Sequence, residues 1–204
     1  MQIRNDNPPQ PQITPHPRLI VGISAASGAI LGIRLLETLT STPVETHLVL
    51  SESAPLTIKQ ETDWHVEDVL SLANVTYDTD DIGAKIASGS FATIGMVIIP
   101  CSIKTLSAVA NSYTDDLLSR AADVTLKEGR PLVLVVRETP YHPGHLRLMS
   151  EAAQAGAVIF PPVPAFYIRP NSVDDIINNT VGRVLARLGI KTNLYHEWQG
   201  QPVE

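Results

Sequence analysis

Cysteine is nearly absent: Cys101 stands alone in 204 residues, which excludes an intramolecular disulfide framework and fits a reducing compartment. Positive charge is scarce, with 15 Lys and Arg against 21 Asp and Glu and a formal charge of −6. No basic stripe or Lys/Arg cluster occurs, which argues against a nucleic-acid partner. An anionic ligand would have to be held by local cations against the overall charge. Long apolar runs are missing too, and the longest is far too short to span a bilayer. Residues 1–17 carry five prolines and no apolar core, so they read as neither a signal peptide nor an Arg-rich presequence. The expectation is a disordered or surface-draped arm on a cytoplasmic protein.

What is present is ordinary for a globular chain, 44% hydrophobic and 18% charged, and the length fits one domain. Short apolar strand patterns recur at 19–24, 45–50, 96–100, 132–136 and 158–160. The intervals between them hold helices, at 28–39, near 55–60, and at 66–72, 114–126, 145–155 and 173–188. Met96-Val-Ile-Ile99 and Leu132-Val-Leu-Val-Val136 are apolar without alternation, as strands covered on both faces are. The fold class is therefore α/β: a doubly wound, mostly parallel sheet in a Rossmann-like or flavodoxin-like three-layer sandwich over residues 18–192. Residues 193–204 form a tail that could act as a lid over the site.

Chemistry in such sheets gathers at the carboxyl ends of the strands. The first strand runs into Ser24-Ala-Ala-Ser-Gly-Ala29, a turn of small residues whose backbone amides and Ser27 hydroxyl read as a phosphate cradle at a helix start. Packing alone would also call for small residues there, and neither the dinucleotide nor the P-loop glycine pattern is matched. The later strand ends carry Ser51-Glu52, Pro100-Cys-Ser-Ile-Lys-Thr105, Arg137-Glu-Thr-Pro140 and Pro161-Pro-Val-Pro-Ala-Phe-Tyr167. Hydroxyls at Ser27, Ser51, Ser102 and Thr105, with cations at Lys104, Arg137 and Arg183, suit a phosphorylated, ring-bearing ligand.

These stretches other than Ser51-Glu52, together with Ile33-Arg-Leu-Leu36, Glu61-Thr-Asp63, Ser88-Gly-Ser-Phe91, Arg120-Ala-Ala-Asp-Val124, Leu126-Lys-Glu128 and Val181-Gly-Arg183, resemble the UbiX-type flavin prenyltransferases of the flavin-containing cysteine decarboxylase superfamily. The resemblance spans 19–190. It implies that the dimethylallyl group of dimethylallyl phosphate is joined to N5 and C6 of reduced FMN without a metal, giving prenylated FMN for a UbiD-type decarboxylase. It also implies a homo-oligomer, commonly a dodecamer, with active sites between subunits. Carried over by position, FMN lies against Ala25, Ala26, Ser27, Ser51, Ser102, Ile103, Lys104, Thr105 and Arg137. The donor phosphate meets Arg120, Lys127, Tyr167 and Arg183, and the catalytic set is Ser27, Glu61, Lys127, Glu138, Tyr167 and Arg183. Ala87, Ser88 and Trp198 are candidates for the apolar wall.

Each residue also has a plainer reading. Arg183 and Arg187 can form a solvated basic face, Tyr167 can fill core, Lys127 can complement a helix end, Glu138 can cap or brace its turn, and Glu61 can anchor a helix end or a subunit interface. His142 and His145 have the spacing of a metal pair but no accompanying ligand pattern, which favours packing. The chain departs from the family pattern at Ala25, where glycine is usual, and at Glu52, where lysine is usual. Gly129 and Glu197 also stand where a basic residue is common. These departures motivate an alternative, a non-catalytic carrier of prenylated flavin. A flavin-dependent cysteine decarboxylase is the more distant alternative, because its Pro-Ala-Ser-Ala-Asn-Thr stretch is replaced here by Pro100-Cys-Ser-Ile-Lys-Thr105.

Overall fold

The computed structural model describes residues 16–195, 197, 198 and 200. Most of the expected N-terminal arm and part of the expected lid therefore lie outside the described residues. Six strands form: β1 (Arg18–Ile23), β2 (Glu45–Leu50), β3 (Val75–Tyr77), β4 (Gly95–Cys101), β5 (Leu132–Val136) and β6 (Val158–Ile159). Their order is β3-β2-β1-β4-β5-β6, with every neighbouring pair parallel. The five strands expected from the sequence give the flavodoxin-like order. The added edge strand β3 makes it the Rossmann-like order, and its three partly exposed residues are too few to show periodicity.

Among the described residues seven α-helices cover the sheet: α1 (Ala29–Leu39), α2 (Ala54–Glu61), α3 (Val66–Ser71), α4 (Ile103–Ala110), α5 (Leu117–Lys127), α6 (Pro143–Gln154) and α7 (Val173–Arg187). The two faces of each central strand feed different cores. Leu19, Val21, Val97, Val133 and Val135 pack with α1 and α7 on one face, and Ile20, Met96, Ile98, Leu132 and Leu134 pack with α4, α5 and α6 on the other. That is why β4 and β5 read as unbroken apolar runs and are buried at every residue. No helix among the described residues is long and apolar enough to cross a membrane.

Helix boundaries follow capping chemistry. The helix expected from 114 starts at Leu117, because the Asp116 carboxylate accepts from Ser119 N at 2.7 Å in a reciprocal capping box. The helix expected from 145 starts earlier, at Pro143, with His142 Nδ1 accepting from Gly144 N at 3.0 Å. His142 is thus a cap, and its ring lies 3.6 Å, centroid to centroid, from that of His145. In α7, Ser172 and Asp175 form a second reciprocal capping box. Helix α4 is a correction, since no helix is expected from the sequence between 100 and 113; its first turn is closed by Ser102, whose Oγ accepts from Thr105 N at 3.2 Å.

One buried titratable group sits on β2, next to the edge strand. His47, 2% exposed, bonds Tyr77 Oη through Nδ1 at 2.9 Å and packs edge-on against Phe91. Its Nε2 lies 3.1 Å from Glu45 Oε1 but off the ring N–H direction, so it makes no hydrogen bond. Burial pushes the imidazole below its ordinary value; Glu45 opposes that shift and Arg18 adds to it. A lowered folded pKa means that the stability tied to neutral His47 is present above the unfolded value of about 6.5 and is lost as pH falls through the folded value. Thermal melts should therefore show Tm dropping below about pH 6, and His47→Gln should flatten that drop.

Candidate active site

Strands β1 and β4 lie side by side at the centre of the sheet, and the chain leaves them toward opposite faces, to α1 and to α4. This is the topological switch point, where a crevice opens at the carboxyl ends of the strands. Ser24 stitches its floor: fully buried, it donates to the Pro100 carbonyl at 2.9 Å and accepts from Ser102 N at 2.7 Å. Beside it, the Ala25 N–H donates to Ser51 Oγ at 3.1 Å, and the Arg137 N–H reaches the Cys101 carbonyl at 3.0 Å.

Four helices begin around this crevice, and each start is a place for an anion; at α2 no amide is free, because Ala54 N and Leu56 N donate to the Ser51 and Ser53 carbonyls and Pro55 has no N–H. At α1 the place is taken, because Glu61 Oε2 accepts from Gly28 N at 2.7 Å and Ala29 N at 3.2 Å. Gly28 presents its amide from a left-handed conformation, φ 97°, which glycine adopts without strain. Partial burial works to raise the Glu61 pKa. Hydrogen bonds from Gly28, the Ser27 hydroxyl and Ala29, with the Arg137 charge nearby, bring it below the usual carboxylate value. The small-residue turn is therefore a cradle, as the sequence suggests, but its α1 amides hold an internal carboxylate. At α5 the place belongs to Asp116. At α4 it is open: Ser102 serves only Thr105, and the N–H groups of Ile103 and Lys104 donate to no acceptor among the described residues.

Glu61 thus caps a helix it does not belong to. Glu61→Gln should cost about 1–2 kcal/mol of stability. That corresponds to a fall in Tm of about 3–6 °C for a chain of this size, read by calorimetry.

A cleft of about 870 Å³ opens over the α4 turn, and Ala25, Ser51, Ser102, Lys104 and Thr105 all line it. The fit to a phosphate monoester rests on two free amides, one ammonium and two hydroxyls at a single helix start. Sequence reasoning missed the opposite wall, which includes Thr79, Asp80, Tyr113 and Asp115. These residues follow β3 and α4, the two elements the sequence did not reveal.

The remaining candidates lie elsewhere on the subunit. Glu138 is half-buried next to the exposed Arg137, and its Oε1 accepts from Thr139 N at 2.9 Å. Arg120 is 3.6 Å from Asp123. Lys127 pairs with Glu128 beside Gly89, at the far end of α5 and about 16 Å from Asp116 along the helix. Tyr167, 51% exposed, meets the Trp198 ring edge to face at 5.7 Å, and the Arg183 guanidinium lies 5.6 Å from the centre of the Phe160 ring. None of these last five lines the cleft.

Residues 9–185 match the Flavoprotein family. The flavin prenyltransferase UbiX of Escherichia coli (strain K12) is 63% identical over 186 residues, covering 90% of this chain and 98% of that protein. The chain belongs to the flavin prenyltransferase family. The crystal structure of AnUbiX (PadA1) in complex with FMN and dimethylallyl pyrophosphate superposes with a TM-score of 0.90 at 49% identity, covering 91% of this chain and 99% of that one. A dodecameric FMN-dependent UbiX-like decarboxylase from Escherichia coli O157:H7 gives 0.88 at 48% identity, covering 90% and 100%.

Two departures from the flavin prenyltransferase pattern have local explanations. Outside glycine, only Ser112 and Arg169 take positive φ among the described residues, so the methyl of Ala25 imposes no backbone strain. Gly129 has φ 65° with open space around it, a conformation that penalises any side chain. Glu52 is different: it is exposed and lines the cleft with Lys104.

Proposed function

We propose that this protein is a flavin prenyltransferase that joins the dimethylallyl group of dimethylallyl phosphate to N5 and C6 of reduced FMN, releasing phosphate. The observation that carries the proposal is the open α4 start inside the switch-point cleft, in a chain of this family. In this reading the Ile103 and Lys104 amides, the Lys104 ammonium and the hydroxyls of Ser102 and Thr105 hold the phosphate of FMN. Ala25, Ala26, Ser27, Ser51 and Arg137 border the flavin.

Departure of an allyl group leaves positive character on the carbon and added negative charge on the phosphate. Fixed cations facing the phosphate stabilise that separation more than they stabilise the ground state. Arg183, Lys127 and Arg120 supply them, and Tyr167 donates a hydrogen bond through its hydroxyl. Bond formation at C6 must end with loss of a proton, which Glu138 accepts. Glu61, held ionised by Gly28, Ser27 and Ala29, orients the Ser27 hydroxyl.

Lys127, Tyr167 and Arg183 lie outside the cleft in one subunit, which supports an assembly in which neighbouring copies complete each site. Val163 and Phe166 are 73% and 72% exposed on the proline-rich loop beside Tyr167, an apolar surface suited to such contacts. The reading puts the reaction in the cytoplasm and passes prenylated FMN to a UbiD-type decarboxylase. Ala25 causes no strain, so one motive for a carrier role falls away. Phosphate release from dimethylallyl phosphate, measured with and without reduced FMN, tests the proposal: release that requires the flavin supports it, and no release in either case contradicts it.

A further inference from the structure

We infer that Glu52 is a specificity residue of the flavin cleft: its carboxylate loosens the hold on the phosphate ester and so sets how readily flavin exchanges. The inference rests on the prenyl-transfer reading, in which FMN enters as substrate and leaves as product at every turnover.

The charge lining the cleft is opposite to what a dianionic ligand would select. Glu52, Asp80, Asp115 and Asp116 face a single ammonium, that of Lys104. Asp116 is committed to capping α5. Glu52, Asp80, Asp115 and Lys104 make no ion pair among the described residues, so the three carboxylates act on the ligand uncompensated. Of the helix starts that could offset them, α1 is closed by Glu61, α5 by Asp116, and α2 by the Ser51 and Ser53 carbonyls that take the Ala54 and Leu56 amides on either side of Pro55, which leaves the α4 turn as the anchor. Glu52 follows directly on Ser51, whose hydroxyl is fixed by Ala25 N, and it lines the same cleft as the anchor.

A unit charge within a Debye length of a dianion in a wet cleft changes affinity by roughly two- to sixfold. Contacts at the α4 turn are direct and lightly screened, whereas repulsion from the exposed Glu52 acts through water and fades with salt. The effect must also follow the phosphate and not the ring, because riboflavin carries no charge for Glu52 to repel.

The test is fluorescence titration of the intact protein with FMN and with riboflavin, for the parent, Glu52→Gln and Glu52→Lys, at low and moderate salt. The Kd for FMN should fall roughly threefold in Glu52→Gln and roughly tenfold in Glu52→Lys, with the gap narrowing as salt rises. Riboflavin affinity should move less than about twofold. Multiple-turnover rates in Glu52→Lys should fall relative to the first turnover. Equal shifts for both flavins, or no shift for FMN, would overturn the inference. The titrations need no prenyl donor, so flavin that binds as stated but is never prenylated would overturn the proposed function and leave the Glu52 assignment standing.

Discussion

Arg183→Ala lowers the rate of prenyl transfer by about 10²–10³-fold, the loss typical of removing one fixed group that stabilises transition-state charge, while FMN affinity stays within about twofold of the parent. The separation follows from where the residue sits. Arg183 is exposed on α7 while its neighbours Val181, Val184 and Leu185 are fully buried, so the helix keeps its core contacts when the guanidinium goes. The side chain lies over Phe160 and not in the cleft proposed to hold the flavin. In the proposed reading it acts on the departing phosphate, whose charge grows in the transition state, and hardly on ground-state flavin binding. Rate, FMN titration and a thermal melt on the same preparation check this, and joint loss of fold and flavin would instead show Arg183 to be structural.

Gly32→Ala destabilises the protein by about 2–3 kcal/mol, a fall in Tm of about 5–10 °C. In an exposed helix the same change would stabilise by about 1 kcal/mol. Here α1 packs against the sheet at Gly32, and a methyl would drive into the Ile99 carbonyl and come within 2.8 Å of the Ile23 side chain. Ile99 is fully buried in β4, so its carbonyl has nowhere to retreat. The shift of α1 would also carry the Gly28 and Ala29 amides away from Glu61, so FMN affinity should weaken in parallel. Calorimetry with flavin titration checks both, and an unchanged or raised Tm would mean that α1 has slack against β4.

The sheet was legible because both faces of its central strands are covered. Leu132–Val136 needs aliphatic residues at every position, and that leaves a mark no helix of five residues would leave. β3 and α4 were not legible, for different reasons. β3 is three residues at an edge, where partial exposure removes the pattern. α4 was hidden because Ser102-Ile-Lys-Thr105 looks like a hydroxyl-rich turn when the cap and first turn of a helix share those residues.

The site shows the same division. Ser51, Ser102, Lys104 and Thr105 could be placed at strand ends from the sequence, and they do share one cleft. Glu61 was readable as a helix-end anchor, but that it reaches across 33 positions to cap α1 was not, because nothing local to Glu61 says which helix it serves. The acidic wall from Asp80 to Asp116 stayed hidden with β3 and α4. Glu52 was visible as a charge out of place, but its position lining the cleft emerges only from the fold.

The most direct test is to incubate the purified protein anaerobically with reduced FMN and dimethylallyl phosphate, then to weigh the extracted flavin by mass spectrometry. A gain of one dimethylallyl unit, in molar excess over protein, is the predicted result. Unmodified FMN, with binding demonstrated and the diphosphate donor also tried, would contradict the account and leave the chain a flavin carrier.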